Sequence, residues 1–327
     1  MRSASGSSRR RSEAKEEAGA LVAGAEPRPV APAKEMGLNG AALALRSELP
    51  PWYGAAANPF IITGYRRPAE PADCLRSVFE WHNETVNIHT HLWPGVFYLV
   101  ALSWHVHEPY FAHATIAAKA AFVIGCLGAA AMGIFSAAAH TFYVVNAKWY
   151  ARSWQADAVG IVAVNYSHLY LDSFLLFKIA LNSHTSFLIA ATVSSLFALA
   201  AALHCAASPA AAARWATWFP ICASVPLTTA VMIAAFASPS LAESIDIAAF
   251  RAAALCSLGC SALVFLSGGV FYVGMVPERF YNPNGLFDFV GSHAIFHLGI
   301  VLSISSAMGA APHLYALELS RAGGGMR

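Results

Sequence analysis

Apolar positions along the chain fall into seven long stretches that are separated by short polar segments. Each stretch is at least as long as the roughly 20 residues that an α-helix needs to span the hydrocarbon of a bilayer. Such spans are expected to be helices, because lipid offers no partner to open backbone groups. The predicted spans are residues 88–107, 116–139, 156–177, 185–206, 217–237, 250–274 and 292–312. The pattern predicts an all-α membrane protein, a bundle of seven transmembrane helices.

The remaining segments differ from the spans in composition. Residues 1–50 mix arginine and glutamate with Ser, Ala, Gly and Pro and show no apolar periodicity, which predicts a flexible tail. Residues 51–87 are expected to form a cytoplasmic juxtamembrane segment. The transmembrane domain is then predicted to cover residues 88–315 and a short C-terminal tail residues 316–327.

Composition supports the membrane interpretation. The chain is 57% hydrophobic and only 12% charged, whereas a soluble domain usually carries about 25% charged residues. This deficit excludes most water-soluble folds of this length. The formal net charge of +2 is too small to indicate nucleic-acid binding by the whole chain. The six cysteines contain no Cys-x-x-Cys pair, so neither a disulfide framework nor a zinc ribbon is expected.

The distribution of Lys and Arg predicts the orientation. With the N-terminus in the cytoplasm, 15 of the 20 basic residues lie on the cytoplasmic side and five on the other. Cytoplasmic loops are normally the richer ones. We therefore predict a cytoplasmic N-terminus and a C-terminus on the opposite side, which is the reverse of the orientation of G-protein-coupled receptors.

Four ionisable side chains stand at the predicted ends of spans. They are His140, Asp157, His293 and His297. Charged or titratable groups at membrane depth are costly, so each is a functional hypothesis. In the predicted topology all four lie near the cytoplasmic ends of their helices and hence at a similar depth.

The spacing of these residues favours a metal site. His293 and His297 are four apart and share one helix face, and His140 could supply a third nitrogen from a neighbouring helix. Three neutral histidines with one open position are typical of catalytic zinc. Asp157 could bind a zinc-bound water or act as general base, and Ser136, one turn before His140, could anchor that water.

Other interpretations of the histidines stay open. A pair at this spacing also arises by chance in a chain with 13 histidines, and an interfacial histidine often serves only as a hydrogen-bonding group. His82, His89 and His91 are a weaker candidate for a second metal cluster. His91 is expected to point away from the other two, so that cluster is not predicted.

Several short motifs occur in a defined order along the chain. They are Asn58–Arg66, Ser77–Leu92, Ser136-x-x-x-His140, Asp157, Val276–Phe280 and Ser292–His297. Together they resemble the progestin and adipoQ receptor family, which includes the adiponectin receptors and the haemolysin III-related proteins. The resemblance runs from Asn58 to about residue 310.

The resemblance implies a fold and a site. It implies seven helices with an inside N-terminus, and zinc held by His140, His293 and His297. It also implies that Asp157 and Ser136 lie near the zinc-bound water. Every one of these positions carries the residue that the family motif requires.

Three classes of function remain compatible with the sequence. The first is a zinc-dependent hydrolase that cleaves a lipid amide such as ceramide or another sphingolipid. The second is a receptor with structural zinc and a ligand on the extracellular or luminal side. The third is a haemolysin III-like transporter or pore. We expect a receptor-like multi-pass membrane protein with a cytoplasm-side zinc site and membrane lipids as partners, and no nucleic acid. A retinal pigment is disfavoured because the seventh span contains no lysine.

Overall fold

The computed structural model describes residues 43–53, 58–172 and 247–309, together with isolated helical positions between residues 189 and 200. Within these ranges the chain is almost entirely helical. The helices are α1 (Pro71–Ser77), α2 (Thr85–His105), α3 (Pro109–His113), α4 (Ile116–Phe142), α5 (Ala147–Asp172), α6 (Ile247–Val264) and α7 (Ser292–Met308). A π-helix, Phe265–Val273, continues α6 without a break. The β-structure in the described ranges is one isolated antiparallel bridge between Ala44 and Tyr65.

Five of the predicted spans coincide with described helices. They are the first, second, third, sixth and seventh, which correspond to α2, α4, α5, α6 with its π-helix, and α7. The span predicted at 185–206 is described only at isolated positions, and the span at 217–237 lies outside the described residues, as do most of the two predicted tails. Among the described helices, the segment Ala118–Phe142 is long and apolar enough to cross a membrane by itself, whereas Leu258–Val273 and Ser292–Met308 are apolar but shorter.

Glycines allow the three helices α2, α4 and α5 to approach closely. Gly133 of α4 faces Gly95 of α2, and a Cβ atom on Gly133 would lie 2.6 Å from the carbonyl oxygen of His91. Where α5 crosses α4, a Cβ atom on Gly160 of α5 would lie 2.9 Å from the Cα of Met132. Small residues at such crossings are the usual means by which membrane helices pack backbone to backbone. The crossings fix α4, which carries one of the candidate ligands, between its two neighbours.

A buried aromatic cluster lies beside the end of α4. Tyr53 and Tyr65 of the juxtamembrane segment pack there with Tyr143 and Val144, which directly follow α4. The rings of Tyr53 and Tyr143 meet edge to face with centroids 5.4 Å apart. The hydroxyl of Tyr53 donates to the carbonyl oxygen of Arg66 at 2.7 Å. The juxtamembrane segment is therefore packed against the helix bundle.

Two buried carboxylates attach the juxtamembrane segment to the loop that precedes α7. Asp288 accepts hydrogen bonds from the backbone nitrogen and the hydroxyl of Thr63 at 2.7 and 2.6 Å. Glu278 accepts from Asn58 Nδ2 at 2.8 Å and from the backbone nitrogen of Ser292 at 2.9 Å. These contacts bring the Asn58–Arg66 motif next to the Val276–Phe280 motif. They also fix the N-terminus of α7, the helix that carries two candidate ligands.

Candidate metal centre

Three histidine side chains converge between α4 and α7. His140 lies in the last turn of α4, and His293 and His297 lie in the first two turns of α7. One ring nitrogen of each lies within 4.8 Å of the others. A metal ion 2.0–2.1 Å from three tetrahedrally arranged nitrogens would hold them about 3.3 Å apart. The side chains would therefore need to close by at most about 1.5 Å.

The rings are arranged edge to face rather than stacked on one another. Their centroids are 5.0 Å apart for His140 and His293, 4.9 Å for His140 and His297, and 4.6 Å for His293 and His297. The angles between the ring planes are 87°, 74° and 71° respectively. His140 and His297 are almost completely buried, with 1% and 2% exposure. The structure thus brings together all three histidines that the sequence proposed as ligands.

Hydrogen bonds fix the tautomers of the two buried histidines. His140 Nδ1 lies 2.7 Å from Glu84 Oε2, and a carboxylate oxygen can only accept, so Nδ1 carries the proton. His140 Nε2 is buried and has no hydrogen-bond partner. His297 Nδ1 donates in the same way to the carbonyl oxygen of Asn87 at 3.1 Å. In both residues the proton lies on Nδ1 and the lone pair on Nε2, which is the arrangement that metal-binding histidines adopt. The donor set therefore fits a metal ion that takes imidazole ligands.

Glu84 orients His140 and is itself held in place. Its carboxylate also accepts from Tyr143 Oη at 3.0 Å and from Asn87 Nδ2 at 2.7 Å. Burial by itself raises the pKa of Glu84, but attraction to His140 and the hydrogen bond from it lower the pKa to about 2. The group is therefore an ionised acceptor. Sequence reasoning missed this role of Glu84. The sequence feature that could have indicated it is the i, i+3, i+7 spacing of Glu84, Asn87 and His91, which puts the three residues on one face at the start of α2.

Asp157 and Ser136 lie beside the centre. Ser136 is one turn before His140 on α4 and is 2% exposed, and its hydroxyl makes no hydrogen bond of normal geometry. Asp157 of α5 is partly buried, and both His140 and the hydroxyl of Ser136 are among its neighbours. Both residues are thus adjacent to the three histidines. Their roles toward a metal-bound water stay predictions.

A fourth histidine, His91, belongs to this region. Its ring stacks on that of His297 with centroids 3.6 Å apart and planes inclined by 4°. The two histidines that the sequence grouped with it lie elsewhere. His82 donates to the carbonyl of Ser77 at 3.0 Å, and His89 contacts the carbonyl of Val78 at 2.8 Å. Among the described residues, the three therefore form no second metal cluster.

The backbone of His140 is held from the juxtamembrane side. The guanidinium of Arg66, which is buried, donates to the carbonyl oxygens of His140 and Thr141 at 2.5 and 3.2 Å and to Ser77 Oγ at 2.8 Å. The last carbonyls of a helix have no intrahelical partner, and a cation there also complements the helix dipole. Arg66 thus caps α4 at the residue whose side chain points into the centre.

The chain is similar in sequence to known membrane proteins. A family model described as "Haemolysin-III related" matches residues 79–308. The chain is 26% identical over 273 residues to heptahelical transmembrane protein 1 of Arabidopsis thaliana, covering 78% of this chain and 76% of that protein. It is 46% identical over 54 residues to the ADIPOR-like receptor IZH1 of Eremothecium gossypii, covering 16% of each chain. A match to an uncharacterized protein of Schizosaccharomyces pombe is 45% identical but spans 11% of that protein's length.

Proposed function

The chain belongs to the haemolysin III-related family of multi-pass membrane proteins, and from this premise we propose that it binds zinc and hydrolyses a lipid amide. It is adiponectin-receptor-like in sequence. In our proposal the substrate is ceramide or another sphingolipid that enters from the bilayer. The zinc ligands are His140, His293 and His297.

One observation carries the proposal. His140 Nε2 is buried without a partner while His140 Nδ1 donates to an ionised carboxylate. A buried imidazole nitrogen left unpaired is unfavourable, and a metal ion would remove that cost. An all-imidazole donor set suits zinc, copper, iron and nickel, and three histidines with a free fourth position favour zinc.

The neighbouring residues supply the remaining groups that amide hydrolysis needs. A bound zinc ion would polarise the amide carbonyl and lower the pKa of a water molecule. Asp157 would accept the proton of the attacking water and pass it to the departing nitrogen as the C–N bond breaks, which yields a carboxylic acid and an amine. The hydroxyl of Ser136, buried beside Asp157, would hold the water in position.

Orientation and partners are part of the same proposal. A cytoplasmic N-terminus is supported by the excess of Lys and Arg in the N-terminal segment and in the loops that share its side. The centre then lies on the cytoplasmic side of a seven-helix bundle. A ligand on the opposite side, extracellular or luminal, would act through the helices.

A receptor with structural zinc is the second candidate function. The contacts of Glu84 and Arg66 favour it, because they connect the centre to the juxtamembrane segment through His140. A metal held there would link α4 and α7 without any chemistry. A measurement of lipid-amide turnover distinguishes this function from hydrolysis, because a receptor with structural zinc would show none.

The test has two stages. Metal content is measured on detergent-purified wild type and on the His293→Ala/His297→Ala double variant. We expect about one zinc ion per chain in wild type and none in the variant. A folded wild type without zinc would overturn the proposal.

Hydrolysis of N-hexanoylsphingosine is measured next, in wild type, Asp157→Ala and Asp73→Ala. Asp73 is the control, since it is an exposed carboxylate that pairs with Arg76 on α1. Loss of turnover in Asp157→Ala with zinc retained would support the hydrolase. Equal turnover in Asp157→Ala and wild type would refute the assigned mechanism, and zinc without turnover in wild type would favour the receptor.

A further inference from the structure

His91 is a buried polar side chain for which the metal centre gives no account. It lies on the inner face of α2 and is 3% exposed. Neither of its ring nitrogens has a hydrogen-bond partner of normal geometry. Nearly all buried polar groups in native proteins are hydrogen-bonded, so an unpaired one requires an explanation.

The unpaired atoms are concentrated around the centre. Of the nine buried side-chain nitrogen and oxygen atoms without a partner in the described part of the chain, five lie there. They are Asn87 Oδ1, His91 Nδ1 and Nε2, Ser136 Oγ and His140 Nε2. A single metal ion would satisfy only the last of these. Ser136 lies beside Asp157, whereas the atoms of Asn87 and His91 point to a polar molecule that binds beside the metal.

His91 is not the fourth ligand of the same ion. An imidazole nitrogen directs its lone pair within the plane of its ring. The planes of His91 and His297 are nearly parallel and their centroids are 3.6 Å apart. An ion in the plane of His297 therefore lies well outside the plane of His91. The fourth position of the centre is left to a bound molecule.

We infer that His91 forms a hydrogen bond with the polar head of an amphiphile at the centre, and this inference rests on the zinc proposal above. The unpaired set contains an acceptor, Asn87 Oδ1, and a group that can donate, His91. An amide or hydroxamate head carries both a donor and an acceptor and matches this set. Phe296, Ile300 and Ile304 of α7 belong to an apolar cluster, so the same helix that carries two candidate ligands continues into apolar surroundings.

The probe for the test is octanohydroxamic acid, which joins an oxygen-rich amide head to an acyl chain. Its dissociation constant is measured by calorimetry on detergent-purified wild type, His91→Phe and His91→Gln, with metal content determined on each sample. Phenylalanine keeps a flat ring against His297 but has no nitrogen, whereas glutamine keeps a donor. His89→Phe is the matched control on the same helix, since His89 contacts the carbonyl of Val78 and Trp93 Nε1 instead.

We expect all variants to retain the metal. The dissociation constant of His91→Phe should rise about tenfold, as is typical of losing one good hydrogen bond in a buried site. The dissociation constant of His91→Gln should lie between those of wild type and His91→Phe, and that of His89→Phe should match wild type. An unchanged constant in metal-loaded His91→Phe would overturn the inference, as would loss of the metal from both His91 variants or a metal-loaded wild type that does not bind the probe.

Failure of the zinc proposal has a different signature. Wild type would then lack the metal. If it still bound the probe and His91→Phe did not, the role of His91 would stand and the zinc assignment would fall.

Discussion

The guanidinium of Arg66 donates to the backbone carbonyl of His140, with Nη2 2.5 Å from the oxygen. His140 is thus held twice, through its main chain by Arg66 and through its ring by Glu84. Both partners belong to the region that precedes α2 rather than to the helices that carry the three histidines. The position of this ligand consequently depends on the juxtamembrane segment.

Arg66→Gln is expected to weaken metal binding without removing a ligand. The variant loses the cap on α4 that fixes the backbone of His140. Changes to groups that orient metal ligands typically cost about 10–100-fold in affinity, and we expect the lower end of that range. Competition with a chelating dye measures the affinity. Arg67→Gln is the control, since Arg67 is exposed and pairs with Glu48 at 2.8 Å. Identical affinities in Arg66→Gln and wild type would contradict the prediction.

Glu84→Gln tests the hydrogen bond to the His140 ring. Glutamine has almost the same size but replaces an ionised acceptor by a neutral amide. We expect metal affinity to fall by about 10–100-fold while the helical content stays unchanged by circular dichroism. Glu70→Gln serves as the comparison, because Glu70 is exposed and makes no capping hydrogen bond at α1. A Glu84→Gln protein with wild-type affinity would show that His140 needs no anionic partner.

Gly133→Ala is expected to destabilise the bundle. The added Cβ atom would lie 2.6 Å from the carbonyl oxygen of His91 and 2.8 Å from the Cα of Gly95. Both are backbone atoms, so α2 and α4 would have to separate, at a cost of about 1–3 kcal/mol. Thermal unfolding in detergent measures the loss. Gly125→Ala of the same helix should have a much smaller effect, because its new Cβ atom meets only the flexible side chain of Met308, at 3.0 Å.

Acidification is expected to destabilise the juxtamembrane segment through His82. Burial, with a smaller contribution from Arg66, lowers the pKa of His82 to about 3. The neutral ring donates to the carbonyl of Ser77 and accepts from the backbone nitrogen of Glu84. The unfolded chain takes up this proton below about pH 6.5 and the folded chain does not. Stability is therefore intact above that pH and falls as the pH drops toward 3, by about 2 kcal/mol at pH 5.

The measurement is the shift in melting temperature between pH 7.5 and pH 5. It should be smaller in His82→Gln than in wild type, since glutamine does not titrate. His107→Gln, which alters an exposed histidine, should show the wild-type shift. If His82→Gln and wild type lose the same number of degrees, His82 does not contribute to the pH dependence.

The candidate ligands could be found from the sequence because their signal is local. His293 and His297 share a face by their spacing alone, and His140 is conspicuous because it ends an apolar span. The helix bounds were less accurate. The third span was predicted to begin at residue 156, whereas α5 begins at Ala147. Hydropathy marks only the apolar part of a helix, and the first turns of α5 carry Lys148, Trp149 and Tyr150.

The groups around the ligands could not be found in this way. Glu84 meets His140 across 56 residues of sequence, and Asn87 meets His297 across 210. No periodicity relates residues so far apart, because their contact is set by how the helices pack. His91 illustrates the same limit: its expected direction was away from His82 and His89, but only the packed bundle reveals that it stacks on His297.

The carboxylates that attach the juxtamembrane segment to the loop before α7 have a consequence for the order of biosynthesis. Asn58 and Thr63 are synthesised 220 and 225 residues before their partners Glu278 and Asp288. At about 5–20 residues per second, a ribosome needs roughly 10–45 s to cover that distance. During this interval the segment lacks those hydrogen bonds at the membrane surface. The centre therefore becomes complete only when α7 has emerged, so a chain truncated before α7 would lack two ligands and also the contacts that hold its N-terminal motif.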